Sequence, residues 1–197
     1  MIRNKQAAHF EYHPLTCDRW GDFEELFGSR GACGGCWCMF WRLTRKEFNA
    51  GKGEGNRAAM KALVESGDIP GLLGYLGGRP VGWCSLAPRG QFPALARSRV
   101  LRPVDDQPCW SVSCLFVHRA YRNQGVAGLL LAAAVDYLKD KGVRFLEGYP
   151  VEPWVGKPMP AAFAWTGIPK VFAANGFVEV ARRSPTRPIM RFNFFTR

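Results

Sequence analysis

The chain has 197 residues, enough for one domain with a sizeable core, and its 47% hydrophobic content excludes an intrinsically disordered protein. Lys and Arg number 27 against 16 Asp and Glu, a formal net charge of +11 that favours anionic partners without choosing among nucleic acid, an acidic surface and a polyphosphate. Seven cysteines, an odd number, suit a reduced intracellular protein better than a disulfide framework. No apolar run follows Met1-Ile2-Arg3-Asn4-Lys5, and the longest apolar stretch, Leu129 to Val135, is too short for a bilayer, so a cytoplasmic protein with no leader and no membrane contact is expected.

Thr16 is positioned to cap a short helix whose Trp20, Phe23 and Phe27 share a face and which Gly28 stops. Gly31 to Trp41, dense in Gly, Cys and aromatic residues, reads as an ordered loop. Thr44-x-x-Glu47 is a capping box opening another brief helix, ended by Gly51. Asn56 caps a further helix through Ser66. Leu72–Leu76 and Val81–Leu86, joined by Gly77-Gly78-Arg79-Pro80, predict a β-hairpin. Ala87 to Pro108, rich in Pro and Arg, is an irregular connection. A strand over about Trp110–Val117 leads into a helix over about Gly125–Lys141, whose apolar stripe is wide enough to bury most of its sides. Val143–Tyr149 is the next strand, Pro169–Asn175 a short helix capped by Gly176, and Phe177–Arg182 and Ile189–Phe194 the last strands. This order is an α/β layout in one domain, residues 1–197, around a mixed sheet with a parallel βαβ centre.

The segment from Val112 to Ala127 carries most of the chemistry. An apolar strand meets a basic turn, and the turn opens through Arg122-Asn123-Gln124-Gly125-Val126-Ala127 into a helix. The first amides of such a helix lack intrahelical acceptors, the dipole favours anions, and Gly125 lets a ligand approach the backbone. Val117, Tyr121, Arg122, Gly125, Val126 and Ala127 together resemble the acetyl-CoA signature of the GCN5-related N-acetyltransferase (GNAT) superfamily, V-x-x-x-Y-R-x-x-G-x-G/A. The resemblance covers most of residues 70–182. It implies the GNAT fold, a mostly antiparallel mixed sheet with helices on both faces, with 71–197 as cofactor-binding core and 1–70 as variable acceptor-side helices and loop. It also implies that residues 122–127 hold the diphosphate of acetyl-CoA. The strand end Leu115-Phe116-Val117 would then face the pantetheine arm at an opening of the sheet.

The match has one departure. The family's usual acid is a Tyr four residues before a Gly-Phe pair. Gly176-Phe177 is present, but the matching position is Phe172, which has no proton to give. Glu147 and Tyr149, two apart on a strand, face the same way and are the candidate base and acid. Trp37, Phe40, Trp41, Trp83 and Trp110 are candidate walls of the acceptor pocket. Cys33-Gly-Gly-Cys36-Trp-Cys38 has C-x-x-C spacing, yet no second pair follows, and a zinc site would need Cys17, Cys84 or a His to close it. The cluster is read as buried thiols without a metal, and nothing in the sequence marks a base beside them.

The function expected is acyl-CoA-dependent acetyl transfer to a primary amine of a small molecule or peptide, by direct attack. The alternative is a non-catalytic CoA-sensing or nucleic-acid-binding module, favoured by the missing Tyr. Against nucleic acid, no helix-turn-helix, RNP-type aromatic pair or basic helix is found. The acceptor's identity and the oligomeric state, a homodimer included, are left open.

Overall fold

The computed structural model describes residues 9–156 and 159–195; Met1–Lys5, read above for a leader, lie outside them. In chain order the elements are β1 (Phe10–Pro14), α1 (Trp20–Phe27), α2 (Arg45–Ala50), α3 (Glu54–Glu65), β2 (Gly71–Leu76) and β3 (Arg79–Pro88). There follow α4 (Pro93–Ala96), β4 (Trp110–Val117), α5 (Val126–Leu138), β5 (Phe145–Gly148), α6 (Pro169–Ala173), β6 (Val178–Arg182) and β7 (Pro188–Asn193). The strands form one seven-stranded sheet in the order β1-β2-β3-β4-β5-β7-β6. Among the described strands only β4 and β5 run parallel, so the sheet is mixed and mostly antiparallel around a βαβ centre, as expected.

Local chemistry explains the hairpin that anchors the sheet. Gly77 and Gly78 both take positive φ, 58° and 75°, the geometry that a two-residue turn needs to match strand twist. On one face α5 buries Val126, Leu130, Leu131, Ala134 and Leu138 against Leu72, Val112 and Leu146. Gly74 and Gly82 let it sit close: a Cβ on either would come within 2.9 Å of a Leu130 methyl. The opposite face is covered by α1 and α3, whose Phe23, Phe27, Met60 and Val64 pack on Leu73, Tyr75 and Trp83. A third cluster lies where the 89–108 connection crosses the sheet, through Phe92, Leu95, Leu101, Tyr149 and Ile189.

Most elements fall where the sequence puts them, and the Thr44 capping box is complete: Thr44 N–H donates to Glu47 Oε2 at 2.8 Å and Glu47 N–H to Thr44 Oγ1 at 3.3 Å. Three readings are corrected. Strand β1, unmarked in the sequence reading, pairs with β2 at the sheet edge, and Tyr12 Oη ties it to α5 by donating to Asp136 at 2.6 Å. Thr16 gives its side chain to Asp18 rather than to a helix amide, because a single 3₁₀ turn precedes α1. Asn56 is no cap either. Helix α3 starts earlier, behind Gly53, and Asn56 is fully buried in it, donating to the carbonyls of Gly35 at 3.0 Å and Phe48 at 3.3 Å. That residue binds the cysteine loop to two helices.

Candidate active site

β4 and β5 pair only through Trp110–Leu146, Ser111–Glu147 and Val112–Gly148. β5 ends there, while β4 continues to Val117, so the two strands part. The chain leaving β5 makes a long excursion before α6 and bridges the gap with two backbone bonds: Leu115 N–H to the Trp165 carbonyl at 2.7 Å, and Val151 N–H to the Gly167 carbonyl at 3.0 Å. A cleft of about 1270 Å³ follows the splay, from the N-terminus of α5 on one face to the Gly31–Trp41 loop on the other. No Asp or Glu lines it among the described residues.

The α5 end is built from backbone. A 3₁₀ turn, Arg119–Tyr121, follows β4. The turn is fixed by two side chains folded back on it: Arg122 Nε donates to the Val117 carbonyl at 3.0 Å, and Gln124 Nε2 to the Ala120 carbonyl at 2.8 Å. Asn123 and Gly125 then adopt left-handed φ, 60° and 87°, at the turn into α5. Among the described residues no backbone carbonyl accepts from the amides of Gly125, Val126 or Ala127. Arg122, Asn123, Gly125, Val126 and Ala127 all line the cleft, with Lys170 of α6 across the mouth. Unpaired amides, a helix N-terminus and two basic side chains are a chemical match for a diphosphate. Gln124 is exposed and does not line the cleft. Leu115, Phe116 and Val117 do, where β4 has parted from β5, although the Leu115 amide is already bonded to the Trp165 carbonyl.

The other end is aromatic and thiol-rich. Phe40 and Trp41 meet Trp165 of the excursion with ring centroids 5.5 and 5.8 Å apart, and Phe27 meets Phe116 at 5.3 Å. Cys33, Cys36, Cys38 and Cys114 line the same stretch. Of the five expected wall residues only Phe40 and Trp41 reach the cleft. Trp37 is buried, stacked between Trp20 and Phe27; Trp83 is fully buried beneath the loop; Trp110 lies at the closed end of the splay, opposite Leu146. Among the described residues no group of three His, Cys, Asp or Glu side chains is placed to share a metal ion.

Glu147 and Tyr149 do face the same way, and Tyr149 Oη donates to Glu147 Oε2 at 3.0 Å. The structure does not bring them to the cleft. Both are buried under the 89–108 connection, where Arg191 donates to Glu147 at 2.7 and 3.1 Å and Arg89 at 3.2 Å. Arg89 also donates to Tyr149 Oη, which is 2.7 Å from Ser111 Oγ, and Arg191 continues to Asp105 at 2.7 Å. Burial, then the Glu147 charge, pushes the Tyr149 phenol well above its ordinary value. The cluster is a closed ion-pair network that clamps the connection to the sheet, which corrects the expectation that this strand face opens on the thioester. Phe172 is fully buried, its ring pressed on β5 where a Cβ at Gly148 would fall 1.9 Å from Cε1.

The residues that the sequence reading missed are Lys170, Asn175, Trp165 and the thiols Cys38 and Cys114 as cleft-lining groups. Only Cys38 carried a signal, its place in the Cys-rich loop.

A strand splayed from its parallel neighbour runs into a glycine-turned helix N-terminus at the head of the cleft. The chain belongs to the acetyltransferase (GNAT) family, whose model matches residues 37–153 and so reaches back into the cysteine loop, beyond the span of the sequence resemblance. That family uses acetyl-CoA as acyl donor. Among solved structures, the chain is similar to the PaiA N-acetyltransferase of Thermoplasma acidophilum in complex with coenzyme A, at 12% identity and a TM-score of 0.52 over 93% of this chain and 98% of that one. It is similar to a GNAT-family acetyltransferase of Listeria monocytogenes at 11% identity and a TM-score of 0.56 over 93% and 94%. It is also similar to a chain of the NatC complex bound to Gag peptide and CoA, at 12% and 0.51 over 94% and 98%. These likenesses are of fold. No curated protein matches the chain by sequence. No helix among the described residues is long and apolar enough to cross a membrane.

Proposed function

We propose that the protein transfers an acetyl group from acetyl-CoA to a primary amine carried on an apolar or aromatic body, a small molecule or a hydrophobic peptide end. One observation carries the reading: a single cleft joins the anion cradle at Gly125–Ala127 to an aromatic chamber lined by Phe40, Trp41 and Trp165. Acetyl-CoA, when bound, supplies an activated thioester. The chain's residues do the rest. The amides of Gly125, Val126 and Ala127, with Arg122 and Lys170, anchor the anionic part of the donor. The splay between β4 and β5 leads from there to the chamber, so that donor and acceptor approach from opposite faces of the sheet. Phe40, Trp41 and Trp165 exclude water and hold the acceptor's body, which raises the effective concentration of the amine.

With no carboxylate among the described residues that line the cleft, acceptors bearing several positive charges gain no ion pair, and apolar amines are favoured. The acid expected at position 172 is absent, and the buried Phe172 leaves orientation as the main contribution. The test is release of free CoA thiol from acetyl-CoA with a panel of arylalkylamines, polyamines and peptides of differing first residue. Steady release with apolar amines supports the reading. Release with none of them, while acetyl-CoA still binds by calorimetry, sinks it and favours a CoA-binding module.

A further inference from the structure

Among the described residues the chamber end of the cleft has no carboxylate, yet it holds one sulfur that accepts a buried hydrogen bond. Cys38 Sγ accepts the Trp83 indole N–H at 3.2 Å in a buried contact. Cys114 on β4 and Ser85 on β3 are close enough to favour a charge on it, and Ser85 itself accepts from Ser113 at 2.9 Å. Arg42 adds a buried positive charge, hydrogen-bonded to Gln91 Oε1 at 3.1 Å and the Pro70 carbonyl at 3.0 Å and influenced as well by the Asp68 carboxylate. The backbone is strained to present this group: Trp37 and Cys38 are consecutive non-glycine residues with left-handed φ, 40° and 60°. Such conformations persist only where surrounding packing enforces them, here the stacking of Trp37 between Trp20 and Phe27.

The titratable groups facing Cys38 are Cys36 on its own loop, Cys84 on β3, Cys114 on β4 and Arg42. Burial holds the Cys36 and Cys84 thiols up, and Cys114 is held up by the neighbouring Cys38 and by burial. Cys38 goes the other way, down to about 7, held there first by the Cys114 thiol and then by Trp83, Ser85 and Arg42 against the cost of burial.

We infer that Cys38 Sγ is the proton acceptor of this enzyme: as a thiolate it takes a proton from the nitrogen of the acceptor's ammonium group at the chamber end of the cleft. The assignment rests on the acetyltransferase reading above. One N–H bond breaks and one S–H bond forms; the ammonium becomes a neutral amine with a free lone pair, and the thiolate becomes a thiol that later returns its proton to solvent. Taking both partners out of water favours the neutral amine and thiol over the ion pair, so closing the chamber drives the transfer. A base whose protonation midpoint lies near the working pH is also the most effective one.

The test begins on the free protein. Alkylation of Cys38 by iodoacetamide, followed residue by residue by peptide mass spectrometry, is expected to rise with a midpoint near 7. Trp83→Phe, which keeps the ring and removes the donor, moves that midpoint up. Calorimetry is expected to give Cys38→Ala the parental affinity for acetyl-CoA. Its turnover of an apolar amine should fall by about 10²–10⁴-fold, with the acidic limb of the pH–rate profile lost. A midpoint at the ordinary cysteine value of about 8.5 overturns the assignment. So does Cys38→Ala with parental turnover and an intact acidic limb, and so does an acetyl group found on Cys38 after incubation with acetyl-CoA without amine, which would make it a nucleophile. Should the parental protein release no thiol with any amine, the acetyltransferase reading fails, while the alkylation profile still decides whether Cys38 is a thiolate.

Discussion

The two ends of the cleft are made in different ways. The cradle end is backbone, contributed by six consecutive residues, 122–127, whose turn is set by a left-handed Asn123 and Gly125. The chamber end is side chains, gathered from α1, the cysteine loop, α2, β4 and the excursion before α6. A site made of consecutive backbone is specified once its turn residues are in place, and it tolerates changes elsewhere. A site made of converging side chains depends on every element that delivers one. On the proposed function, the first end would receive what all acyl-CoA donors share, and the second would choose the acceptor.

The largest effect expected falls on neither end, and thereby isolates both. Glu147→Ala leaves the Arg89 and Arg191 guanidinium groups buried without their shared carboxylate, and breaking such a pair costs about 3–5 kcal/mol. Urea unfolding should show that loss, whereas the acetyl-CoA affinity of the remaining folded fraction stays parental. Glu147→Gln should be milder and should keep the acidic limb of the pH–rate profile. Loss of that limb would restore Glu147 as the base.

Gly125→Glu attacks the cradle alone. It places an L side chain at φ 87° and a negative charge where anions are received, so acetyl-CoA affinity by calorimetry should drop by about 100-fold or more. Near-parental binding would remove the cradle from the cofactor site. Trp165→Ala attacks the chamber alone, where its ring meets Phe40 and Trp41. The KM for an apolar amine should rise about tenfold, the value of one modest aromatic contact, with acetyl-CoA affinity changed far less.

A smaller effect tests the departure from the family pattern. Phe172→Tyr puts a hydroxyl into a fully buried apolar position, which costs about 1–3 kcal/mol unless a partner is found. It should not raise turnover; a marked rise would show that an acid belongs there after all. Elemental analysis of protein purified without chelator should find well below one zinc per chain, and a stoichiometric value would make ligands of Cys33, Cys36 and Cys38.

The sequence by itself determined what consecutive residues can encode. The Gly77-Gly78 hairpin, the Thr44–Glu47 capping box, β4 and the Arg122–Ala127 turn are each set by propensity, turn chemistry or capping within a few positions, and each is found where its residues put it. The edge strand β1 escaped because Phe10 and Tyr12 alternate with polar residues over only five positions, too short a pattern to stand out. Glu147 and Tyr149 were recognised as a neighbouring pair, but their surroundings come from Arg89 and Arg191, 58 and 44 residues away in the chain. The sequence pattern holds no trace of that distance. Cys38 was visible as one thiol among many. Only the tertiary structure brought Trp83, Ser85, Cys114 and Arg42 around its sulfur, because the charge a side chain can carry is decided by the dipoles packed against it.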